Sequence, residues 1–268
     1  MIADAIKHIA GESVECITLM GPGVDPHTYK PVETDIFNIA QADIIFYHGL
    51  HLEARMSDLF DTMQTYKTTI AVSENIPKEL LIFDTEFTQH PDPHIWFDPE
   101  VWIYAIKTIT FHLQQKNSIY SEMYQTNLKK YVLDIAQTHQ NNKMLIAKIP
   151  LNQRILITGH DAFSYFARAY QFKVYSLQGI NTASQAGTKD IANIITIIIN
   201  NHIHTIFPEN SIPIRNMLSL TQATDLMGQS VNIGSELFSD SLGAANTAQS
   251  TYVGMIRSNV YNIVNGLL

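Results

Sequence analysis

Apolar and polar residues follow one another along the chain in two patterns. Short apolar runs such as Ile44-Ile45-Phe46-Tyr47 are typical of buried strands, whereas residues 99–116 carry apolar residues at helical spacing. Strand-like and helix-like segments alternate through most of the sequence, which is typical of parallel α/β layers. The predicted strands are residues 14–20, 43–47, 69–72, 154–158, 172–176, 204–207 and 231–234.

One stretch, residues 118–149, interrupts this alternation. Its apolar residues fall at three- and four-residue steps, and it contains no proline or glycine. As a single helix it would be about 48 Å long at 1.5 Å per residue, which suits a helix that crosses between two lobes. Two ordinary helices broken near residues 140–142 are the alternative. We therefore predict an α/β fold of two βα lobes with mainly parallel sheets, residues 1–117 and 150–268, joined by one long backbone helix.

Composition and charge narrow the function classes. The 268 residues are enough for two lobes, each with its own core. The net charge of −8 argues against nucleic acid as a partner, because such binding needs a basic surface. Cys16 is the only cysteine, which excludes an intramolecular disulfide and a cysteine-rich zinc site.

Targeting signals are not visible in the sequence. No apolar run reaches the roughly 18 to 20 residues that span a bilayer. Residues 1–16 do not show a basic segment followed by an apolar one, so no signal peptide is recognised. We expect either a cytoplasmic protein or a chain numbered after the removal of its leader.

The tripeptide Asp-Pro-His occurs twice, with its histidines at His27 and His94. Proline fixes its own φ and restricts the residue before it, so these loops have little backbone freedom. A rigid loop suits a side chain that must point in one direction, and two such loops suggest two ligands of one site. Two unrelated turns are the alternative, because Asp-Pro commonly opens a turn.

Two further candidates come from the second predicted lobe. His160 directly follows the strand at residues 154–158, and Asp240 lies beyond the strand at residues 231–234. Ligands of open parallel sheets bind at the carboxyl ends of the strands. Three imidazoles and one carboxylate suit zinc or manganese, so we expect a metal cleft between the lobes. Glu209 and His48, also at strand ends, are expected to support a ligand instead of binding the ion.

Four motifs of the chain closely resemble those of the solute-binding proteins of bacterial zinc/manganese ABC importers, in the same order and spacing over nearly the whole sequence. The motifs are Gly21-Pro-Gly-Val-Asp-Pro-His27, Asp92-Pro-His94-Ile-Trp-Phe-Asp98-Pro99, Thr158-Gly-His160-Asp161-Ala-Phe-Ser-Tyr165-Phe166 and Ser239-Asp240-Ser-Leu242-Gly243. The resemblance implies that the metal ligands are His27, His94, His160 and Asp240. It also implies two α/β lobes around a rigid helix.

The resemblance implies a function as well. The expected role is high-affinity binding of Zn²⁺ or Mn²⁺ as cargo, in the periplasm or otherwise outside the cytoplasm, and delivery to the permease of an ABC importer. The protein is expected to be a monomer and not an enzyme. A metallohydrolase that uses the same histidines and a metal-dependent surface adhesin are the alternatives. A catalytic zinc ion keeps one coordination position open for water. As a fourth ligand, Asp240 would occupy that position, which argues against the hydrolase.

Three departures from the family pattern are visible, and the second and third leave the metal open. Family members usually have an opening strand, and we expect this chain to lack most of it, so that the first lobe has one strand fewer or the sequence is trimmed. Zinc-dedicated members often carry a histidine-rich loop between the first two ligands, but residues 61–93 contain only His90, which favours manganese. Manganese members often have glutamate in place of His160, which favours zinc. On chemistry alone, three nitrogen ligands predict tighter binding of zinc than of manganese.

Overall fold

The structure, a computed structural model, describes residues 1–83, 90–184 and 186–268. The chain divides into two compact units, Met1–Gln137 (unit 1) and Thr138–Leu268 (unit 2). The predicted division into two lobes and a separate connecting segment, residues 118–149, stays a prediction. No helix of the described residues has both the length and the apolar character needed to cross a bilayer.

Unit 1 is built around one pair of parallel strands. Its elements are α1 (Ile2–Ala10), α2 (Glu33–Gln41), β1 (Ile44–Tyr47), α3 (Ser57–Gln64), β2 (Thr68–Ala71), α4 (Pro99–Lys116) and the first part of α5 (Ser121–Ile146). In the strand pair, Ile44 lies opposite Thr68 and Tyr47 opposite Ala71. Ile39 of α2 and Phe60 of α3 pack with Ile45 of β1 into one apolar cluster, so these two helices pack against the strand.

Unit 2 contains two further parallel strand pairs. It comprises the rest of α5, then β3 (Ile155–His160), α6 (Ser164–Tyr170), β4 (Lys173–Gln178), α7 (Thr188–Asn200), β5 (Thr205–Ile206), α8 (Arg215–Leu226), β6 (Asn232–Ile233) and α9 (Tyr252–Leu267). β3 pairs with β4, and β5 pairs with β6. The N–H of Phe207 donates to the carbonyl of Ile157 at 3.0 Å, so β5 lies beside β3. All six residues of β3 are buried, as expected for a central parallel strand.

The long helix is continuous. α5 has 26 residues and is therefore about 39 Å long, which confirms the single helix and makes the break near residues 140–142 wrong. It is shorter than predicted because residues 118–120 form a 3-10 turn and the helix ends at Ile146. Pro150 follows closely, and proline disfavours a helical conformation in the residue before it.

α4 begins and ends as predicted. Pro99 occupies its first turn, where the missing N–H of proline has no cost. The side chain of Asp98 accepts the N–H of Glu100 at 3.1 Å and caps the helix. This cap fixes the end of the loop that carries His94.

The strand predicted at residues 14–20 is wrong. These residues form no strand, and Ile17 is 56% exposed. An apolar run becomes a strand only when a neighbouring strand pairs with its backbone, and in the described part of unit 1 the paired strands are β1 and β2. His27 therefore follows an irregular segment and not a strand end.

Candidate metal centre

The two Asp-Pro-His loops of unit 1 fold in the same way. In each loop the aspartate side chain accepts the backbone N–H of the histidine two residues later. The distances are 2.9 Å from His27 N to Asp25 Oδ1 and 2.8 Å from His94 N to Asp92 Oδ1. Such turns are a preferred conformation of aspartate, and the proline between the two residues stiffens them further. The loops therefore hold both histidine backbones in a defined orientation.

The two histidines lie next to each other, and both are buried. His27 is 3% exposed and His94 is 0% exposed, and their Nε2 atoms are 3.3 Å apart. Two nitrogens bound to the same tetrahedral zinc ion at its usual bond length lie about 3.3 to 3.4 Å apart. Nδ1 of His94 donates to Asp92 Oδ1 at 2.7 Å, which leaves the Nε2 lone pair of the neutral ring available to an ion.

His48 supports this loop through the backbone. A carbonyl only accepts hydrogen bonds, so His48 donates from Nε2 to the carbonyl oxygen of Pro93 at 2.6 Å. Its ring lies edge-on to Trp96 and parallel to Trp102. Burial lowers the pKa of His48 to about 3, so the ring is neutral at physiological pH. His48 thus contacts the residue before His94 and uses Nε2 for that contact.

The second pair of candidates lies in unit 2. His160 ends β3, and Asp240 lies in the loop after β6. His160 Nε2 and Asp240 Oδ2 are 3.3 Å apart, and both side chains are fully buried. This is the same donor spacing as in unit 1, with a carboxylate oxygen in place of one imidazole nitrogen.

Glu209 orients His160 from a distant part of the chain. Its Oε1 accepts the N–H groups of Gly159 at 2.7 Å and His160 at 2.9 Å. Its Oε2 accepts His160 Nδ1–H at 2.6 Å, which turns Nε2 of the ring toward Asp240. Burial alone lowers the pKa of His160, but the charges of Glu209 and Asp240 and the hydrogen bonds to them raise it well above its ordinary value.

Two residues that sequence reasoning missed follow Glu209 directly. Asn210 accepts the N–H of Ser239 at 3.2 Å and donates from Nδ2 to Ser241 Oγ at 2.7 Å. Ser211 donates from its hydroxyl to Asp240 Oδ2 at 3.1 Å. Asparagine and serine are common in loops for many reasons, so their position next to Glu209 is the one signal that the sequence offers.

The predicted site residues are therefore found as two pairs. The structure brings His27 and His94 together in unit 1, and His160 and Asp240 together in unit 2. Glu209 contacts a predicted ligand directly, whereas His48 contacts the backbone beside one. Each pair offers two donor atoms of the kinds that zinc and manganese accept in proteins.

Comparison with known proteins points to one group. A family model described as zinc-uptake complex component A, periplasmic, matches residues 1–266. The zinc-binding protein TroA of Treponema pallidum (strain Nichols) is 40% identical over 273 residues, covering 100% of this chain and 86% of TroA. The manganese-binding lipoprotein MntA of Bacillus subtilis (strain 168) is 37% identical over 266 residues, covering 99% of this chain and 87% of MntA.

A solved structure agrees with these sequence matches. The periplasmic zinc-binding protein TroA from Treponema pallidum superimposes with a TM-score of 0.97 at 38% identity, covering 100% of this chain and 96% of that one. This likeness confirms the predicted fold class of parallel α/β lobes with one long helix.

Proposed function

Because the chain belongs to the family of periplasmic zinc-uptake complex component A, we propose that it captures a divalent transition-metal ion outside the cytoplasm and delivers it to the permease of an ABC importer. The ion is cargo, either Zn²⁺ or Mn²⁺. Relatives named for zinc binding and for manganese binding are both similar over nearly the whole chain. The protein acts as a monomer with respect to metal capture.

The observation that carries this proposal is the pair of buried donor sets. Each set has its two donor atoms 3.3 Å apart, and in each a carboxylate holds Nδ1 of a histidine. Two donors do not complete a coordination shell, whereas tetrahedral zinc takes four. We therefore assign His27, His94, His160 and Asp240 to one ion, with Glu209 and His48 as supporting residues.

This donor set favours binding over catalysis. Four protein ligands leave no vacant position on a tetrahedral ion for an activated water, which a zinc hydrolase needs. Imidazole binds metal only when it is neutral, so uptake of the ion must displace any proton from the ligating nitrogens. We expect the affinity to fall as the pH is lowered through the histidine range.

Calorimetric titration of the metal-free protein with zinc and manganese tests the proposal. Wild type should bind one ion per chain. His94→Ala and Asp240→Ala, one from each unit, should each weaken binding by more than about 100-fold. Removing a ligand should reduce the metal affinity more than removing a residue that only orients a ligand, which costs about 10- to 100-fold. His204→Ala, which removes an exposed histidine of unit 2, is the matched control and should bind as wild type does.

The outcomes separate the parts of the proposal. Failure of wild type to bind either ion overturns metal capture. Unchanged affinity in His94→Ala removes the unit 1 pair from the site, and unchanged affinity in Asp240→Ala removes that carboxylate.

A further inference from the structure

Three consecutive residues of unit 2, Glu209-Asn210-Ser211, each hold a different part of the candidate site. Their segment runs parallel to the start of the Asp240 loop, where Glu209 forms a bridge with Leu237 and Asn210 N–H donates to the Leu237 carbonyl at 2.9 Å. Glu209 orients His160, Asn210 holds the Asp240 loop, and Ser211 reaches the carboxylate of Asp240 itself. The Ser211 contact bears on metal choice because it is made to the carboxylate that we assign as a ligand.

The hydrogen atoms at Ser211 can be assigned by counting donors. Its Oγ lies 3.1 Å from Asp240 Oδ2 and 2.9 Å from Ser239 Oγ. A hydroxyl has one hydrogen, and an ionised carboxylate can only accept. Ser211 therefore donates to Asp240, and Ser239 donates to Ser211. Ser239 is fully buried, and hydroxyls that donate in series polarise and strengthen one another in such an interior.

The oxygen that receives this hydrogen bond is the one that faces His160. Asp240 Oδ2 lies 3.3 Å from His160 Nε2, which is close enough for this oxygen to share an ion with that nitrogen. The carboxylate cannot rotate about its Cβ–Cγ bond without breaking the contact with Ser211. In addition, a hydrogen bond into Oδ2 occupies one of its lone pairs and makes it a weaker donor to metal.

This arrangement affects zinc and manganese unequally. Zinc is bound well by imidazole nitrogen, whereas manganese depends more on carboxylate oxygen. We propose that Ser211, backed by Ser239, is a positioning residue that restrains the Asp240 carboxylate and thereby favours zinc over manganese. This inference rests on the proposed function, since it assigns the selectivity of the same site.

The test compares zinc and manganese affinities in three variants. Ser211→Ala should lower the zinc affinity by about tenfold, the lower end for loss of a residue that orients a ligand. It should lower the manganese affinity less, so that the zinc-to-manganese ratio falls. Ser211→Thr keeps the hydroxyl and should restore the ratio. Ser219→Ala removes an exposed serine whose hydroxyl bonds only to Arg215 on its own helix among the contacts described, and should leave the ratio unchanged.

Visible absorption of bound Co²⁺ gives a second readout, because its bands report the geometry and donor strength of the ligands. Ser211→Ala should shift these bands relative to wild type, and Ser211→Thr should not. If Ser211→Ala fails to fold, Ser239→Ala keeps Ser211 but removes its donor, and should change the ratio in the same direction by a smaller factor.

An unchanged metal ratio together with an unchanged Co²⁺ spectrum would overturn the role of Ser211 while leaving metal capture intact. Loss of binding in wild type would instead overturn the proposed function on which the inference rests.

Discussion

The two units brace their candidate ligands over very different distances along the chain. In unit 1, His27 and His94 are each held by an aspartate two residues earlier. In unit 2, His160 is held by a glutamate 49 residues away, and Asp240 by a serine 29 residues away. The difference shows that a candidate ligand can be held either by a turn within its own loop or by contacts with distant loops.

Glu53 of unit 1 and Glu209 of unit 2 extend this comparison. Glu53 accepts the N–H groups of His48 and Gly49 just after β1, as Glu209 accepts those of Gly159 and His160 at the end of β3. Glu209 also receives the ring N–H of its histidine, whereas the ring of His48 turns away to the carbonyl of Pro93. In this turn, therefore, the carboxylate of Glu53 accepts backbone N–H groups, whereas the ring N–H of His48 is donated elsewhere.

The largest effect is expected from Glu209→Gln. Both carboxylate oxygens accept N–H groups, so a side-chain amide must turn its NH₂ toward another donor. Leaving buried donors unpaired costs about 1 to 3 kcal/mol of unfolding free energy, and loss of the orienting contact should weaken zinc binding by about 100-fold. Urea unfolding of the metal-free protein and calorimetry of zinc binding measure the two effects.

Glu236→Gln, an exposed site in unit 2, is the control for Glu209→Gln and should alter neither quantity. If Glu209→Gln binds zinc as tightly as wild type does, β3 alone positions His160 and the distant bracing of unit 2 has no function in binding.

The contrast between local contacts in unit 1 and long-range contacts in unit 2 also explains which features could be predicted from the sequence. The Asp-Pro-His loops were visible because the turn that holds each histidine lies within one tripeptide, and α4 and α5 were visible from proline and from apolar spacing. The strand predicted at residues 14–20 failed because pairing depends on a neighbour that local pattern does not reveal. Ser211 was missed because its partner Asp240 is distant in sequence and becomes adjacent only in the folded unit.

An intermediate effect is expected from Glu53→Gln and concerns pH. Burial raises the pKa of Glu53 to about 7 from an ordinary value of 4.5. Between these values the unfolded chain is ionised at this residue while the folded protein is protonated, so the stability of the folded state falls as the pH rises from 4.5 to about 7. Glutamine has no such titration.

The difference in unfolding free energy between wild type and Glu53→Gln should therefore decrease by about 1 to 2 kcal/mol across that window, a value reduced for the partial exposure of the side chain. Urea unfolding at a series of pH values measures it. A difference independent of pH would show that the pKa of Glu53 is not raised, because its backbone N–H donors stabilise the ionised carboxylate enough to offset burial.

The smallest effect is expected from Asp92→Asn, the unit 1 counterpart of Glu209→Gln. The backbone N–H and the ring N–H of His94 both donate to the same oxygen, Oδ1, and an asparagine retains an oxygen at that position. In Asp92→Asn the zinc affinity, measured by calorimetry, should fall by less than about tenfold. Asp92→Ala removes the acceptor, so its zinc affinity should fall by about tenfold or more. If Asp92→Asn instead weakens binding as much as Glu209→Gln does, the charge of the orienting carboxylate matters more than which of its oxygens accept. The charge of a carboxylate would then orient the histidine in both units. Whether that carboxylate is near or distant in sequence would make no difference to zinc affinity.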